Sequence, residues 1–476
     1  MFSRRLLSKT PQWPLLKEQA QKLKLHLPMY TLHLEAAGIS CDLSHNYITN
    51  EVLTLLSSLC QSQGVMEFFK AMIQGKEVNI SEQRQALHTA LRNPHYYSET
   101  VRDSVADSIQ KMQSLTEIIH QHQPWEGSEH PIRYIVHMGI GGSDYGPRFL
   151  IKALENHKIN DLSFHFIANL DPWELQDTLK KIDVKHSLFI VSSKSFTTDE
   201  TLTNFSNLCS ALDADSHFIA NQCIAITANE EKALQQGFKK KHILKINHWV
   251  GGRFSIWSAI GFSLMLAIGT HQFKEFLAGA HAMDEICAQE NFMQNPALLL
   301  AAMDCWYTNF LDAHSRAILI YSSQLSDLIH YLQQLMMESN GKSRTLQGEI
   351  VDYHTNPIIW GGVGSNSQHT FQQLLMEGTR LIPIDIILPR TSDIYFSQQQ
   401  NKLATHCLAQ AKALTSARQG LGQPYHLFSF EKISPKIMGS LLALYEHRTV
   451  MAAALWAINP FDQFGVELSK SLLTTV

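Results

Sequence analysis

One lysine stands among six hydroxyls in the run Ser192-Ser193-Lys194-Ser195-Phe196-Thr197-Thr198-Asp199-Glu200-Thr201. The apolar run 188–191 precedes it, and a helical pattern through Leu202, Phe205 and Leu208 follows. Such a cluster at a helix start can surround a phosphate monoester with charge-assisted hydrogen bonds. A serine/threonine cap needs fewer hydroxyls, so phosphate binding by this cluster is the expected role. A second turn, Gly139-Ile140-Gly141-Gly142-Ser143-Asp144-Tyr145-Gly146-Pro147, also links an apolar run to a helical stretch. The dinucleotide fingerprint would need glycine where Asp144 stands, and the P-loop would need Gly-Lys-Ser/Thr where the chain has Gly142-Ser143-Asp144. Both nucleotide readings fail. The turn suits a small polyhydroxylated ligand, with Asp144 as a cap for the next helix.

Four further stretches carry groups suited to proton transfer or charge stabilisation. Arg253 follows Gly251-Gly252, where a pliable backbone can aim the guanidinium into a cleft. Glu338 closes the helical run 328–337 and precedes the stop signal Ser339-Asn340-Gly341. The negative end of a helix disfavours a charged carboxylate, which is a useful setting for a general base. His369 stands beside the start of a helical stretch, where the positive helix end favours a neutral imidazole. Asn459-Pro460 reads as the cap and first residue of a final helix, which would place Gln463, Glu467 and Lys470 on one face. Arg84, His88 and Arg92, four apart in residues 79–92, read as a solvated cationic stripe on a helix. His120-Gln121-His122 lacks a carboxylate or cysteine at ligand spacing, so no metal site is expected.

The elements that must position these groups fall into three regions. Residues 1–110 read as helices with polar breaks and little strand-like alternation. From about 130, short apolar runs at 134–136, 164–167, 188–191, 223–226 and 243–244 alternate with helical segments. Continuous apolarity suits strands covered on both faces, hence a doubly wound, mainly parallel sheet. The pattern restarts with strands expected at 317–321, 384–388 and 426–430. The expected division is a helical region 1–110 on the larger domain, a smaller α/β domain 111–285 and a larger one 286–476. The longest apolar run, 256–269, is too short for the ~20 residues that cross a bilayer and reads as a buried helix. A net charge of −4 over 476 residues gives no reason to bind nucleic acid or an anionic membrane. Seven scattered cysteines without a C-x-x-C fit reduced thiols in a cytoplasmic protein. The basic N-terminus, acid-free until Glu18, faintly resembles a transit peptide, but a plain helix is the expected form.

In their order along residues 75–470 these stretches resemble the phosphoglucose isomerase (glucose-6-phosphate isomerase) family of aldose–ketose isomerases. The segment 250–261 and the final Phe461-Asp462-Gln463-Phe464-Gly465-Val466-Glu467-Leu468-Ser469-Lys470 carry the resemblance most specifically. It implies two sugar-isomerase (SIS-type) domains, a sugar phosphate substrate, no metal or other cofactor, and a homodimer with shared active sites. By motif match, Ser193, Lys194, Ser195 and Thr198 hold the phosphate and Gly142 and Ser143 line the sugar. Glu338 moves the proton between C2 and C1, and Arg253 stabilises the enediolate. His369, from the partner subunit, opens the ring with Lys470, and Gln463 touches the sugar or phosphate end. Ser195 stands where the family usually has threonine, Tyr145 for leucine, His248 for aspartate, and Gly362-Val363 for Glu-Pro. A wider hexose-phosphate isomerase also accepting mannose 6-phosphate is the nearest alternative. A sugar-phosphate sensor would keep the hydroxyl cluster but need no base, and a dehydrogenase fails at Asp144.

Overall fold

The computed structural model describes residues 5–23, 30–121, 125, 130–392, 396–416 and 422–467. Eleven strands occur among them: β1 (His33–Ala36), β2 (Ile39–His45), β3 (Tyr134–Met138), β4 (Ser163–Ile167), β5 (Ser187–Ser192), β6 (Cys223–Thr227), β7 (Ile243–Lys245), β8 (Ser315–Ile320), β9 (Ile358–Val363), β10 (Ile384–Pro389) and β11 (Tyr425–Phe430). The chain divides into two compact units, residues 87–278 and residues 1–86 with 279–476. Each contains one sheet.

In unit 87–278 the sheet order is β4-β3-β5-β6-β7, and every pairing is parallel. A parallel sheet needs cover on both faces, which explains the unbroken apolar runs. Val136, Met138, Phe189, Val191 and Ala225 point to one side and pack with Phe196, Phe205, Leu208 and Phe238. The long apolar run forms the buried start of the helix Phe262–Cys287, which breaks at Gly269 (φ 79°, ψ 163°). That conformation suits glycine, and a side chain there would also meet Ile159. Carbonyls near the break find partners outside the helix. Ile159 N–H donates to Ala267 O at 3.1 Å, and Asn160 Nδ2 and His120 Nε2 lie 2.8 and 2.9 Å from Leu266 O. His120 thus has a local structural role, while His122 lies outside the described residues.

In the other unit the order is β1-β2-β11-β10-β8-β9. Strands β8 to β11 are parallel, and β2 joins β11 antiparallel. The hairpin β1–β2 departs from the helical reading of the N-terminal region. Its alternation is visible in Ile39, Cys41 and Leu43 against Ser40, Asp42 and Ser44, and its turn, Ala37-Gly38, is left-handed at both residues. The expected N-terminal helices are present at Gln12–Lys22, Asn50–Ser62 and Val65–Ile73.

Residues 79–92 do not form the single helix that the spacing suggests. Asn79 and Arg84 exchange backbone hydrogen bonds, Gln83 is left-handed, and only the 3₁₀ turns Ile80–Glu82 and His88–Leu91 are helical. The solvated stripe is also absent, because His88 and Arg92 are buried. Within unit 87–278, His88 stacks on Phe254 at 4.7 Å and the Arg92 guanidinium lies 4.1 Å from the Trp257 ring centre.

The centre of the larger sheet is held by charge. One face of β8, β10 and β11 presents Ala317, Leu319, Ile384, Ile386 and Tyr425 to an apolar layer. Alternation turns Arg316, Asp385 and His426 the other way. Arg448 Nε and Nη2 donate to Asp304 at 2.7 Å each, while its Nη1 donates to Asp385 at 2.6 Å. Arg316 reaches the same two carboxylates at 2.7 and 2.8 Å. His426 and Tyr445 complete Asp385 at 2.9 and 3.0 Å. Burial alone would raise the Asp385 pKa, but Arg448, Arg316 and His426 outweigh it and hold the group well below the carboxylate range. Burial pushes His426 down to about 4, so it is neutral near pH 7. Asp385→Asn leaves the arginines short of one negative charge, so it is expected to cost about 3–5 kcal/mol of stability. Denaturant unfolding of both proteins measures the loss; equal midpoints would show that the network is dispensable.

Candidate active site

Sheet topology fixes where unit 87–278 can bind a ligand. Counted from β3, its order is 2-1-3-4-5, with the switch point between β3 and β5. Loops leaving the carboxyl ends of strands flanking such a point diverge and leave a crevice. The loop after β3 is the glycine turn, and the loop after β5 is the hydroxyl cluster. Both groups predicted to bind ligand therefore leave neighbouring strands at the same end of the sheet.

The hydroxyl loop is tightly organised. Ser193 is buried, and its Oγ lies 2.8 Å from Thr198 Oγ1. Ser195 is exposed and accepts from Thr197 Oγ1 at 2.6 Å. Phe196, left-handed and buried in the apolar layer, anchors the loop between them. The helix Asp199–Ala211 starts immediately after Thr198. Its first N–H groups are available for anion binding. Lys194 also has a structural task, because its ammonium donates to His248 O at 2.8 Å and Val250 O at 2.6 Å. It ties the hydroxyl loop to the turn that carries Arg253.

That turn meets the glycine loop at van der Waals distance. Gly142 faces Gly252, and a Cβ on Gly142 would collide with the Gly252 carbonyl and with Arg253 N. Ser255 Oγ donates to Gly252 O at 2.5 Å and lies 3.3 Å from Gly142 O. The Arg253 side chain is buried, with its guanidinium 5.6 Å from the Phe254 ring centre. Behind the turn, burial pushes His137 down to about 4, and the neutral ring lies 2.7 Å from Ser263 Oγ. Asp144 does not cap the following helix with its side chain. Its carboxylate receives Arg148 Nε at 3.0 and 3.1 Å instead, an i,i+4 pair that outcompetes the local N–H groups.

The remaining candidates lie in the other unit. Glu338, half-buried, ends a π-helical segment, Gln333–Glu338, rather than a regular α-helical turn. Such segments widen the backbone and recur at functional sites. Neighbouring Met337 is fixed at the amino end of β9, where Ile359 N–H donates to its Sδ at 3.3 Å. His369 follows the carboxyl end of the same strand and is exposed. Strand β9 has six residues, about 17 Å at 3.3 Å per residue. Glu338 and His369 of one chain therefore belong to opposite ends of this sheet.

Gln463 donates to Glu467 Oε1 at 2.9 Å, so those two do share a face. Asn459 Oδ1 accepts from Phe461 N–H at 3.0 Å as a cap would, but the helical turn starts only at Phe464, so the bond closes a local turn while Nδ2 donates to Asn79, Ser81 and Asp462. Lys470 lies outside the described residues.

A sequence model of the phosphoglucose isomerase family matches residues 42–476. The chain belongs to that family. Glucose-6-phosphate isomerase of Shewanella pealeana is 39% identical, over 92% of this chain and 87% of its own length. That of Shewanella putrefaciens is 37% identical, over 98% and 94%. A glucose-6-phosphate isomerase structure from Chlamydia trachomatis superposes with a TM-score of 0.89 at 28% identity, covering 99% of this chain and 96% of that one. The fold is thus that of a phosphoglucose isomerase, with two doubly wound sheets. The sequence reading overlooked His137, Ser255 and Lys342. Their signals are slight, since each binds backbone or a hydroxyl in support of a neighbouring loop.

Gly142→Ala is expected to displace the Arg253 turn and lower isomerase turnover about 100-fold, the usual cost of a 1 Å misplacement. Gly252→Ala points into open space and should cost far less. Steady-state rates of the two variants test the contact; equal losses would refute it.

Proposed function

We propose that this enzyme interconverts D-glucose 6-phosphate and D-fructose 6-phosphate by ring opening and proton transfer through a cis-enediolate. Support comes above all from the family match across residues 42–476, which includes every candidate residue. The substrate phosphate is held by Ser193, Ser195 and Thr198, with Lys194 contributing through its loop and charge. Gly142 and Ser143 line the sugar, and Gln463 touches one of its ends. His369 with Lys470 opens the ring. Glu338 then takes the C2 proton, the electron pair moves into the C1–C2 bond, and the C1 oxygen becomes an enediolate beside Arg253. Return of the proton to C1, with the O2 hydroxyl proton passing to O1, leaves the carbonyl at C2 and a hydroxyl at C1. Atoms and electrons balance within one sugar, so the proposed reaction needs no outside oxidant or reductant, and none of its steps is assigned to a metal.

The working form is proposed to be a homodimer in which His369 serves the partner's site. The separation of Glu338 and His369 along β9 supports this arrangement, since one chain presents them at opposite ends of a sheet. The 1–86 segment is assigned to the larger of the two sugar-isomerase domains. No described helix is long and apolar enough to cross a membrane. A cytoplasmic location is proposed because none of the seven cysteines forms a disulfide and all but Cys209 are buried.

Glu338→Gln is expected to fold and bind sugar phosphate but to lose about 10²–10⁴-fold in turnover. His369→Ala should also be impaired in ring opening. Unfolding and refolding the two inactive proteins together should restore activity, to at most about a quarter of normal, because half the dimers are mixed and each has one intact site. A coupled assay from fructose 6-phosphate measures this. Near-normal activity of Glu338→Gln would remove the assigned base, and no recovery on mixing would remove the shared site.

A further inference from the structure

Lys342 stands four residues after Glu338 and has no part in the reaction as proposed. Its ammonium donates to the carbonyls of Glu338, Ser339 and Asp462, each at 2.9 Å, and lies 3.3 Å from Asp462 Oδ1. The side chain is 17% exposed and that of Asp462 is 7% exposed, so water screens the pair only partly. The backbone around it is also fixed. Gly341 N–H donates to Met337 O at 2.8 Å, and Asn340 Nδ2 donates to Thr449 O at 3.0 Å. Asp462 is equally well held, because its Oδ2 accepts from Ser81 Oγ at 2.6 Å and Asn459 Nδ2 at 2.8 Å. The next residue along the chain is Gln463.

A lysine at a helix end commonly satisfies its last carbonyls and offsets the negative end of the dipole. This one does more, because its remaining bonds go to a segment more than a hundred positions away in sequence. A π-helical segment departs from the regular hydrogen-bond ladder, so the carbonyl of its final residue gains most from an external donor. That residue is Glu338.

We infer that Lys342 is a positioning residue, a strut that fixes the backbone of the base Glu338 and locks it in register with the Asp462–Gln463 segment. The inference rests on the proposal that Glu338 is the base. Without the ammonium the helix end and the C-terminal segment separate, and the carboxylate is no longer held at the C1–C2 edge of the substrate.

A double-mutant cycle in the purified dimer tests it, with kcat and KM for fructose 6-phosphate and the circular dichroism melt measured for each protein. Lys342→Met is expected to lower kcat about 10- to 100-fold, with KM within about twofold of normal. Lys342→Arg, which keeps the charge and several donors, should recover part of that loss. In a Glu338→Gln background, Lys342→Met should lower the residual kcat no further. If Lys342→Met does not fold, Lys342→Gln takes its place in the same cycle. Normal kcat in the Lys342 variant overturns the strut while leaving the base intact. A full further loss in the Glu338→Gln background overturns it too, because the lysine then acts independently of Glu338. Near-normal turnover of Glu338→Gln alone overturns the base, and the strut with it.

Discussion

Two arginines and two aspartates buried against one another decide the architecture of the larger unit. Arg316 and Arg448 each reach both Asp304 and Asp385, so the group is neutral overall and its charges are closely paired. Isolated, any one of these ions would be very costly to bury. Together they demand that β8, β10 and the helices Pro296–Phe310 and Pro435–Leu455 meet in one arrangement. The consequence reaches the chemistry: Thr449, next to Arg448, accepts the Asn340 hydrogen bond that holds the end of the Glu338 segment. A core made only of aliphatic side chains could slide by a fraction of a turn; this one loses ion pairs if it does.

In unit 87–278 the corresponding constraint is steric. Its parallel sheet places the glycine turn and the hydroxyl loop on strands flanking a switch point. The approach of Gly142 to Gly252 and the Lys194 bonds to His248 and Val250 then hold the Arg253 turn against those loops. Lys194 shows how a residue of the right type can serve a site twice, through its charge and through the backbone it secures.

Much of this was legible in the sequence because the signals are local. The strands β3 to β8, β10 and β11 announce themselves as apolar runs, and hydroxyls or glycines directly after a strand point to a ligand loop. The failures have physical causes. Strand β9 contains Gly361 and Gly362, which interrupt its apolar run, and it is not among the expected strands. Residues 79–92 carry helical spacing, yet His88 and Arg92 gain more from stacking on Phe254 and Trp257 than from a solvated helix face. Asn459 and Asp144 look like helix caps, but Asn459 closes a local turn on Phe461 N–H before any helix begins, and the Asp144 carboxylate is taken by Arg148. The buried network was not legible, since its members are scattered from Asp304 to Arg448 and only the fold brings them together.

The central claim is that a protein base carries a proton between C2 and C1. It is tested most directly by incubating the enzyme with fructose 6-phosphate in deuterium oxide and following the glucose 6-phosphate formed by proton NMR. Deuterium should appear at C2, because a proton held on a carboxylate exchanges with solvent before it returns to carbon. Glucose 6-phosphate that stays free of deuterium at C2 after prolonged equilibration would indicate direct hydride transfer and contradict the account.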